Sequence, residues 1–178
     1  MSIRMEPAFD TRAFRQALGH FPTGVCVATA VVDSVPLGMT VTSFNSLSLD
    51  PPLVLFSIDR RAASLPLWER AKGYALNVLA ENQREISERF AKPVSNKWEG
   101  VAYAIGPLGA PVLPGIAAVF ECAAEGRHEA GDHVLFIAEV NRFRTFVDRR
   151  PLVFGNGRYN KLHQTEFTAS LWPLDIHY

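Results

Sequence analysis

The stretch GMTVTSFNSLSLDPPLVLFSI, residues 38–58, decides how this chain folds. Apolar and polar residues alternate in two short runs, Met39/Val41 and Leu47/Leu49, with a bulge or bend at Ser43–Asn45 between them. Asp50-Pro51-Pro52 makes a rigid corner, and Leu53–Ile58 is a continuous apolar run of the kind buried on both faces of a sheet. Six hydroxyl side chains fall inside these strands, on Thr40, Thr42, Ser43, Ser46, Ser48 and Ser57. A buried hydroxyl without a partner costs on the order of 1–3 kcal/mol, so an ordinary core strand does not collect them. Either they face water on a half-buried sheet, with Ser43, Asn45 and Ser46 as a turn, or they line a groove for a polar ligand.

Working outward, Val25–Val32 alternates Val25, Val27, Thr29 and Val31 against the small Cys26, Ala28 and Ala30, which is strand spacing, and Asp33–Pro36 turns the chain back. Before it, Asp10 caps a helix with Phe14, Ala17 and Leu18 on one face, and Gly19 ends that helix in a left-handed conformation; the helix packs as a lid. Downstream, Ser64 caps a short helix with Pro66 in its first turn, Tyr74–Ala80 is a strand, and Asn82 caps a helix carrying Ile86 and Phe90 one turn apart. Lys92–Gly100 reads as a surface loop. Strands follow at Ile116–His128, His133–Phe146 and Pro151–Phe154, with a reversal at Glu129–Asp132 and a hairpin turn at Gly155-Asn156-Gly157. The expected fold is mainly β, an antiparallel, closed or nearly closed barrel with a few short flanking helices.

The 178 residues fit one domain, 1–178, with 1–9 as an arm and 160–178 as a tail whose Phe167, Leu171, Trp172 and Ile176 dock on the body or on a partner subunit. Lys plus Arg and Asp plus Glu are 18 each, so no net field draws the chain to nucleic acid or an acidic membrane; small molecules and proteins are the expected partners. Cys26 and Cys122 each sit in apolar runs and read as buried small hydrophobes, a disulfide between them being weakly supported. With neither a leader segment nor an apolar run of spanning length, the expected location is the cytoplasm.

Familiar catalytic signatures are missing. No C-x-x-C, no H-E-x-x-H and no His/Cys cluster has metal-ligand spacing, so no metal is expected, and Gly155-Asn156-Gly157 lacks the third glycine and the βα unit of a dinucleotide fingerprint. Two positive candidates remain. Ser64 at a helix start, after Arg60 and Arg61, gathers N–H groups, a hydroxyl and two guanidinium groups into a phosphate cradle, or else is an ordinary solvated cap. Gly131-Asp132-His133 holds an imidazole in a fixed direction at a hairpin end, where it either stacks on a planar ligand or is a surface residue.

A wider set of motifs resembles the short-chain flavin reductases: Phe21-Pro22-Thr23-Gly24-Val25, Met39–Ser48, Pro51-Pro52-Leu53-Val54, Tyr74–Leu79, Gln83, Arg89-Phe90-Ala91 and Ala130-Gly131-Asp132-His133, in order over about Phe14 to Tyr159. The resemblance implies a split β-barrel, normally a homodimer, that binds FMN or FAD, reduces it with NADH or NADPH, and serves as the reductase component of a two-component flavin-dependent monooxygenase. Carried over by position, Thr40, Val41, Thr42 and Ser43 offer hydroxyls and backbone N–H groups to the isoalloxazine edge, and Ser46, Leu47, Ser48 and Ser57 line the same groove. Ser64 takes the phosphate side, Leu79, Ala80 and Gln83 border the flavin, Phe90 helps close the site, and His133 is the nicotinamide-side catalytic histidine.

This assignment gives the hydroxyls of residues 38–58 a partner and fits the lack of an acid–base pair. Hydride passes between stacked rings, so the protein supplies positioning and charge stabilisation rather than a nucleophile. Two alternatives share the sequence features: a non-catalytic flavin- or haem-binding split barrel, and a hydroxyl-rich interaction surface with Phe167–Tyr178 as interface. Nothing in the sequence separates FMN from FAD or NADH from NADPH.

Overall fold

The computed structural model describes residues 9–94 and 96–162, and over them short strands alternate with three short helices. In chain order the elements are α1 (Thr11–Leu18), β1 (Thr23–Gly24), β2 (Cys26–Val32), β3 (Val35–Val41), β4 (Asn45–Leu49), β5 (Pro52–Asp59), α2 (Leu65–Trp68), β6 (Gly73–Val78), α3 (Arg84–Ala91), β7 (Ala104–Ile105), β8 (Pro111–Val112), β9 (Ala118–Ala130), β10 (His133–Thr145), β11 (Val153–Gly155) and β12 (Arg158–Asn160). Seven strands form one antiparallel sheet in the order β3-β2-β6-β9-β10-β5-β4; β1, β11 and β12 form a second, and β7 with β8 a hairpin.

The two edges of the large sheet are halves of one bent strand. β3 pairs with β2 as far as Val41 opposite Cys26; the chain bends over Thr42–Phe44, and β4 then pairs with β5 from Asn45 opposite Leu55 to Leu49 opposite Pro52. One continuous segment thus bonds to β2 on one side and β5 on the other, and the sheet closes into a split barrel. Two-residue turns of the twist-matched kind set the hairpins: Asp33 and Ser34 (φ 51° and 63°) join β2 to β3, and Asn156 and Gly157 (φ 51° and 73°) join β11 to β12.

Side-chain size on β2 explains how the interior fills. Cys26, Ala28 and Ala30 face the barrel and leave room for Phe56 and Phe136, stacked at 5.1 Å, with Tyr74 edge-on to Phe56 at 5.2 Å. The opposite face of β2, with Val27 and, just before the strand, Val25, belongs to an outer core shared with Leu79, Phe90, Leu113 and Val119. Asn77 docks the β7–β8 segment onto this face: its Nδ2 donates to Val27 O at 3.1 Å and its Oδ1 accepts from Leu113 N–H at 2.9 Å. Both thiols are buried and free; burial raises that of Cys122 to about 12 and moves Cys26 further in the same direction.

Several local expectations are corrected. Leu53–Ile58 is not buried on both faces: Val54, Phe56 and Ile58 are buried, while Leu53, Leu55 and Ser57 are half-covered, because β4 and Thr42–Ser43 leave the outer face of β5 partly open. α1 is capped by Asp10 through Arg12 N–H and Ala13 N–H, yet buries no residue and leaves Phe14 50% and Leu18 56% exposed, so it is no lid within this chain. Gly19 has φ −61°, a right-handed end to α1, because its N–H bonds back to Arg15 O and Gln16 O. The cap of α3 is Gln83, one residue beyond Asn82, and Ser64 stands at the start of α2 without a side-chain hydrogen bond. β9 runs through Glu129 and Ala130, which confines the reversal to Gly131–Asp132. Pro151 makes only an isolated bridge to Ala80, and β11 starts at Val153. Most of the 1–9 arm and of the 160–178 tail lies outside the described residues.

Candidate active site

The bend that closes the barrel also builds the site. Ser43 Oγ accepts from Ser57 N–H at 2.9 Å and donates to Ser57 O at 3.3 Å, so a side chain takes over the strand pairing where the backbone turns away. Thr40 Oγ1 donates to Ser87 O at 2.7 Å and fastens β3 to α3. Thr42 between them is exposed, and among the described residues the amides of Thr42, Ser43 and Phe44 find no main-chain partner. Unpaired amides and a hydroxyl on one bend make a set of donors suited to the carbonyl oxygens and ring nitrogens of a flat heterocycle. Farther along the bent strand, Ser46 and Leu47 are exposed and Ser48 is half-buried, so β4 continues the same wall, with Val41 buried beneath it.

Strand register carries this wall to the second group. Ser57 lies opposite Leu135, and two residues on, Asp59 lies opposite His133. His133 Nδ1 is 2.7 Å from Asp132 Oδ1, a contact that fixes the ring; the bond and the imidazolium charge hold the Asp132 carboxyl below its usual range. Asp59 in turn accepts from Arg61 Nε at 3.1 Å, Arg61 Nη2 at 2.7 Å and Arg61 N–H at 2.8 Å, which drives its carboxyl well below the ordinary value. Arg60 N–H donates to Asp132 O at 2.9 Å and its guanidinium meets Glu129 at 3.1 Å. Both guanidinium groups of the cradle are therefore held by carboxylates, Arg60 by the exposed Glu129 and Arg61 by the half-buried Asp59. Both guanidinium groups reach solvent, which screens these pairs, so an anionic ligand displaces them at little cost. Ser64 is half-buried at the far end of this loop.

Across β2 lies the third group. Cys26 pairs with Val41 on one side and Val78 on the other, which places Thr42 and Leu79–Ala80 at the same end of β2, roughly 10 Å apart by strand spacing. Leu79 and Ala80 are buried. Gln83 is half-buried behind them, its Oε1 accepting from Ala80 N–H at 3.0 Å and its Nε2 donating to Pro114 O at 2.7 Å. Phe90 is fully buried on the inner side of α3, 4.8 Å from Trp98 and so close to Gly38 that a Cβ there would come within 2.4 Å of its ring. It stands in the outer core behind β3.

Thr42, Ser43, Ser57, the Asp59–Ser64 loop and His133 thus gather along one strand end, Leu79 and Ala80 flank it, and Gln83 and Phe90 stand behind. Sequence reading missed Asp59, although an acidic residue two before Arg61 in a turn is a legible pairing signal. It also missed the Ser87 Oγ and Tyr159 Oη contact of 2.9 Å, which pins α3 to β12 and joins residues too far apart in sequence to signal one another. A cleft of about 730 Å³ beside α3, between Gln83, Glu85, Arg89, the chain at Asn96–Ala102 and Pro114, is lined by charges of both signs and includes none of the bend residues Thr42–Phe44. Among the described residues no three His, Cys, Asp or Glu side chains converge as metal ligands.

Comparison with known proteins gives the family of this chain. A family model described as the flavin reductase like domain matches residues 18–163. The chain is 37% identical to the reductase subunit HsaB of a flavin-dependent monooxygenase from Rhodococcus jostii, over 95% of this chain and 87% of that protein. It is 41% identical to the FMN reductase (NADH) SmoA of Agrobacterium fabrum, over 85% and 86% of the two chains. Among solved structures, the NADH:FAD oxidoreductase SgcE6 of Streptomyces globisporus, in complex with NAD and FAD fragments, superposes with a TM-score of 0.82 at 33% identity, covering 89% of this chain and 98% of that one. With the family model covering the whole barrel, from the end of α1 past β12, the chain belongs to the flavin reductase family.

Proposed function

We propose that this chain is a flavin reductase that takes hydride from NADH and hands reduced FMN or FAD to a partner monooxygenase. The observation that carries the reading is the juxtaposition at the barrel seam: unpaired donors at Thr42–Phe44 on one strand, and, through the β5–β10 register, a ring-fixed His133 next to an arginine-bearing loop. When bound, the flavin supplies the two-electron acceptor, and the nicotinamide supplies the hydride. The chain's own part is to hold the flavin edge with the amides and hydroxyl of Thr42–Phe44, to receive phosphate at Arg60, Arg61 and Ser64, and to orient the nicotinamide beside His133. Relatives named as an FMN reductase and as an NADH:FAD oxidoreductase support both flavins and favour NADH. Reductase subunits of flavin-dependent monooxygenases among the relatives support the oxygenase partner.

A homodimer belongs to the same proposal. Phe14 and Leu18 on α1, Leu49 at 77% exposed on β4, and Phe143 on β10 are large apolar side chains without cover in the single chain, and a second copy is the natural cover for them.

The test is anaerobic mixing of the protein and FMN or FAD with NADH, followed at the visible absorbance of the oxidised flavin. Rapid protein-dependent bleaching is expected with either flavin. A stable yellow complex that NADH does not bleach would identify a non-catalytic binder instead, and no flavin binding at all would leave the bend as an interaction surface.

A further inference from the structure

We propose that Gln83 is a positioning residue whose carboxamide holds the Leu79–Asn82 rim of the flavin groove at a height set by the buried Asn77, so that it governs flavin affinity without touching the rings. The proposal rests on the flavin-reductase reading above.

The carboxamide is engaged at both ends. Its Oε1 accepts from Ala80 N–H at 3.0 Å, while Gln83 N–H donates to Ala80 O at 2.9 Å, a reciprocal pair like the returning arm of a capping box at the start of α3. Ala80 is almost fully buried, so its amide would otherwise be an orphaned donor. At the other end Nε2 donates to Pro114 O at 2.7 Å. Pro114 follows Leu113, whose N–H is fixed by Asn77 Oδ1 at 2.9 Å, and Asn77 is wholly buried with its Nδ2 on Val27 O. A continuous line of hydrogen bonds therefore runs from the sheet interior through Leu113–Pro114 to the rim. Gly115 continues it: its φ is +76°, and a Cβ there would sit 3.2 Å from Gln83 Nε2.

The rim is a short segment pinned on its other side by backbone alone. Leu79 N–H donates to Val25 O at 3.0 Å, Leu152 N–H to Leu79 O at 2.8 Å, and Glu81 N–H to Arg150 O at 2.8 Å. Without the Gln83 carboxamide, only the main-chain bond from Gln83 N–H to Ala80 O holds the α3 side of this segment, and the wall facing Thr42 across β2 is set less firmly. Both ends of the carboxamide are thus anchored within the chain, which fixes its orientation while leaving one N–H and one lone pair over.

Two substitutions separate the contributions. Gln83→Glu retains an acceptor for Ala80 N–H but loses the donor to Pro114 O; Gln83→Leu loses both. Flavin KM and Kd, the latter from flavin fluorescence quenching, are expected to rise about tenfold in Gln83→Leu and by a smaller factor in Gln83→Glu. The kcat at saturating flavin is expected within about twofold of the parent. Gly115→Ala, which crowds Nε2 without removing it, is expected to raise flavin KM in the same way. An unchanged flavin Kd in Gln83→Leu would overturn the proposal, as would a fall in kcat with KM unmoved, which would place Gln83 at the reacting rings. Should Gln83→Leu not fold, Gln83→Glu and Gly115→Ala answer the same question by the same KM-against-kcat comparison. Bleaching of flavin by NADH in the parent protein is measured alongside, so loss of the flavin-reductase reading is recognised independently of any result on Gln83.

Discussion

Ser43 and Thr42 are neighbours with the same chemistry and opposite employment. Ser43 spends its hydroxyl on Ser57 N–H and Ser57 O, while Thr42 is exposed at the bend. Ser43→Ala is therefore expected to lower unfolding free energy by about 1–3 kcal/mol, read from urea denaturation, because it strands two main-chain groups on a half-buried strand. Thr42→Val is expected to leave the urea midpoint unchanged and weaken flavin binding severalfold in a fluorescence titration; the reverse pattern would exchange their roles. His133 is the matching case on the nicotinamide side. His133→Ala is expected to raise the KM for NADH more than the Kd for flavin, and equal losses would reduce it to a packing residue. Of these residues, the sequence announced which carry hydroxyls and imidazole. Which hydroxyl is already consumed by the fold was illegible, because Ser43 meets Ser57 only after the barrel closes.

At the scale of elements, the contact of α3 with β3 is the tightest packing around the site. Phe90 Cε1 lies 2.4 Å from where a Cβ on Gly38 would stand, and Lys97 Nζ reaches both Gly38 O at 3.3 Å and Phe90 O at 3.0 Å. Desolvation there lowers the Lys97 ammonium below its ordinary value. Gly38→Ala is expected to destabilise the protein by about 1–3 kcal/mol through overpacking, and the added Phe90→Leu change to recover part of it; thermal melts of the single and double variants measure both. A neutral Gly38→Ala would show that α3 rides loosely. The elements themselves were largely legible, since strand alternation, the Asn156-Gly157 turn and the Asp10 cap are local signals. The apolar face of α1 misled because amphipathic spacing says that a helix has a face to bury and is silent on whether its own chain covers it.

For the whole molecule, the two buried thiols couple stability to alkaline pH. Their ordinary value is 9.0, and burial raises both, Cys122 to about 12. A raised thiol pKa means that between the unfolded and folded values the native state keeps a proton that the unfolded chain has released. Stability is therefore full well below pH 9.0, the ordinary thiol value, and declines as pH rises through and above it. Urea midpoints measured from pH 7 to 10.5 are expected to fall through this window, and Cys26→Ala with Cys122→Ala to flatten the fall even where each costs stability at neutral pH; a midpoint independent of pH would refute the coupling. The same burial makes both thiols inert to alkylation in the native state and reactive once unfolded.

Local patterning was enough for the longer strands β2, β5, β6, β9 and β10, for most of their turns and for the cluster of polar side chains at residues 40–48, because alternation, turn chemistry and hydroxyl content are properties of a few consecutive residues; the two- and three-residue strands β1, β7, β8 and β12 are too short to show a period. Tertiary structure alone decided that β3 and β4 are one bent strand closing a barrel, that His133 stands opposite Asp59, and that Gln83 ties Ala80 to Pro114. Those relations join residues far apart along the chain. Their partners are chosen by sheet register and by the need to satisfy every buried amide, and neither is written in any local stretch of residues.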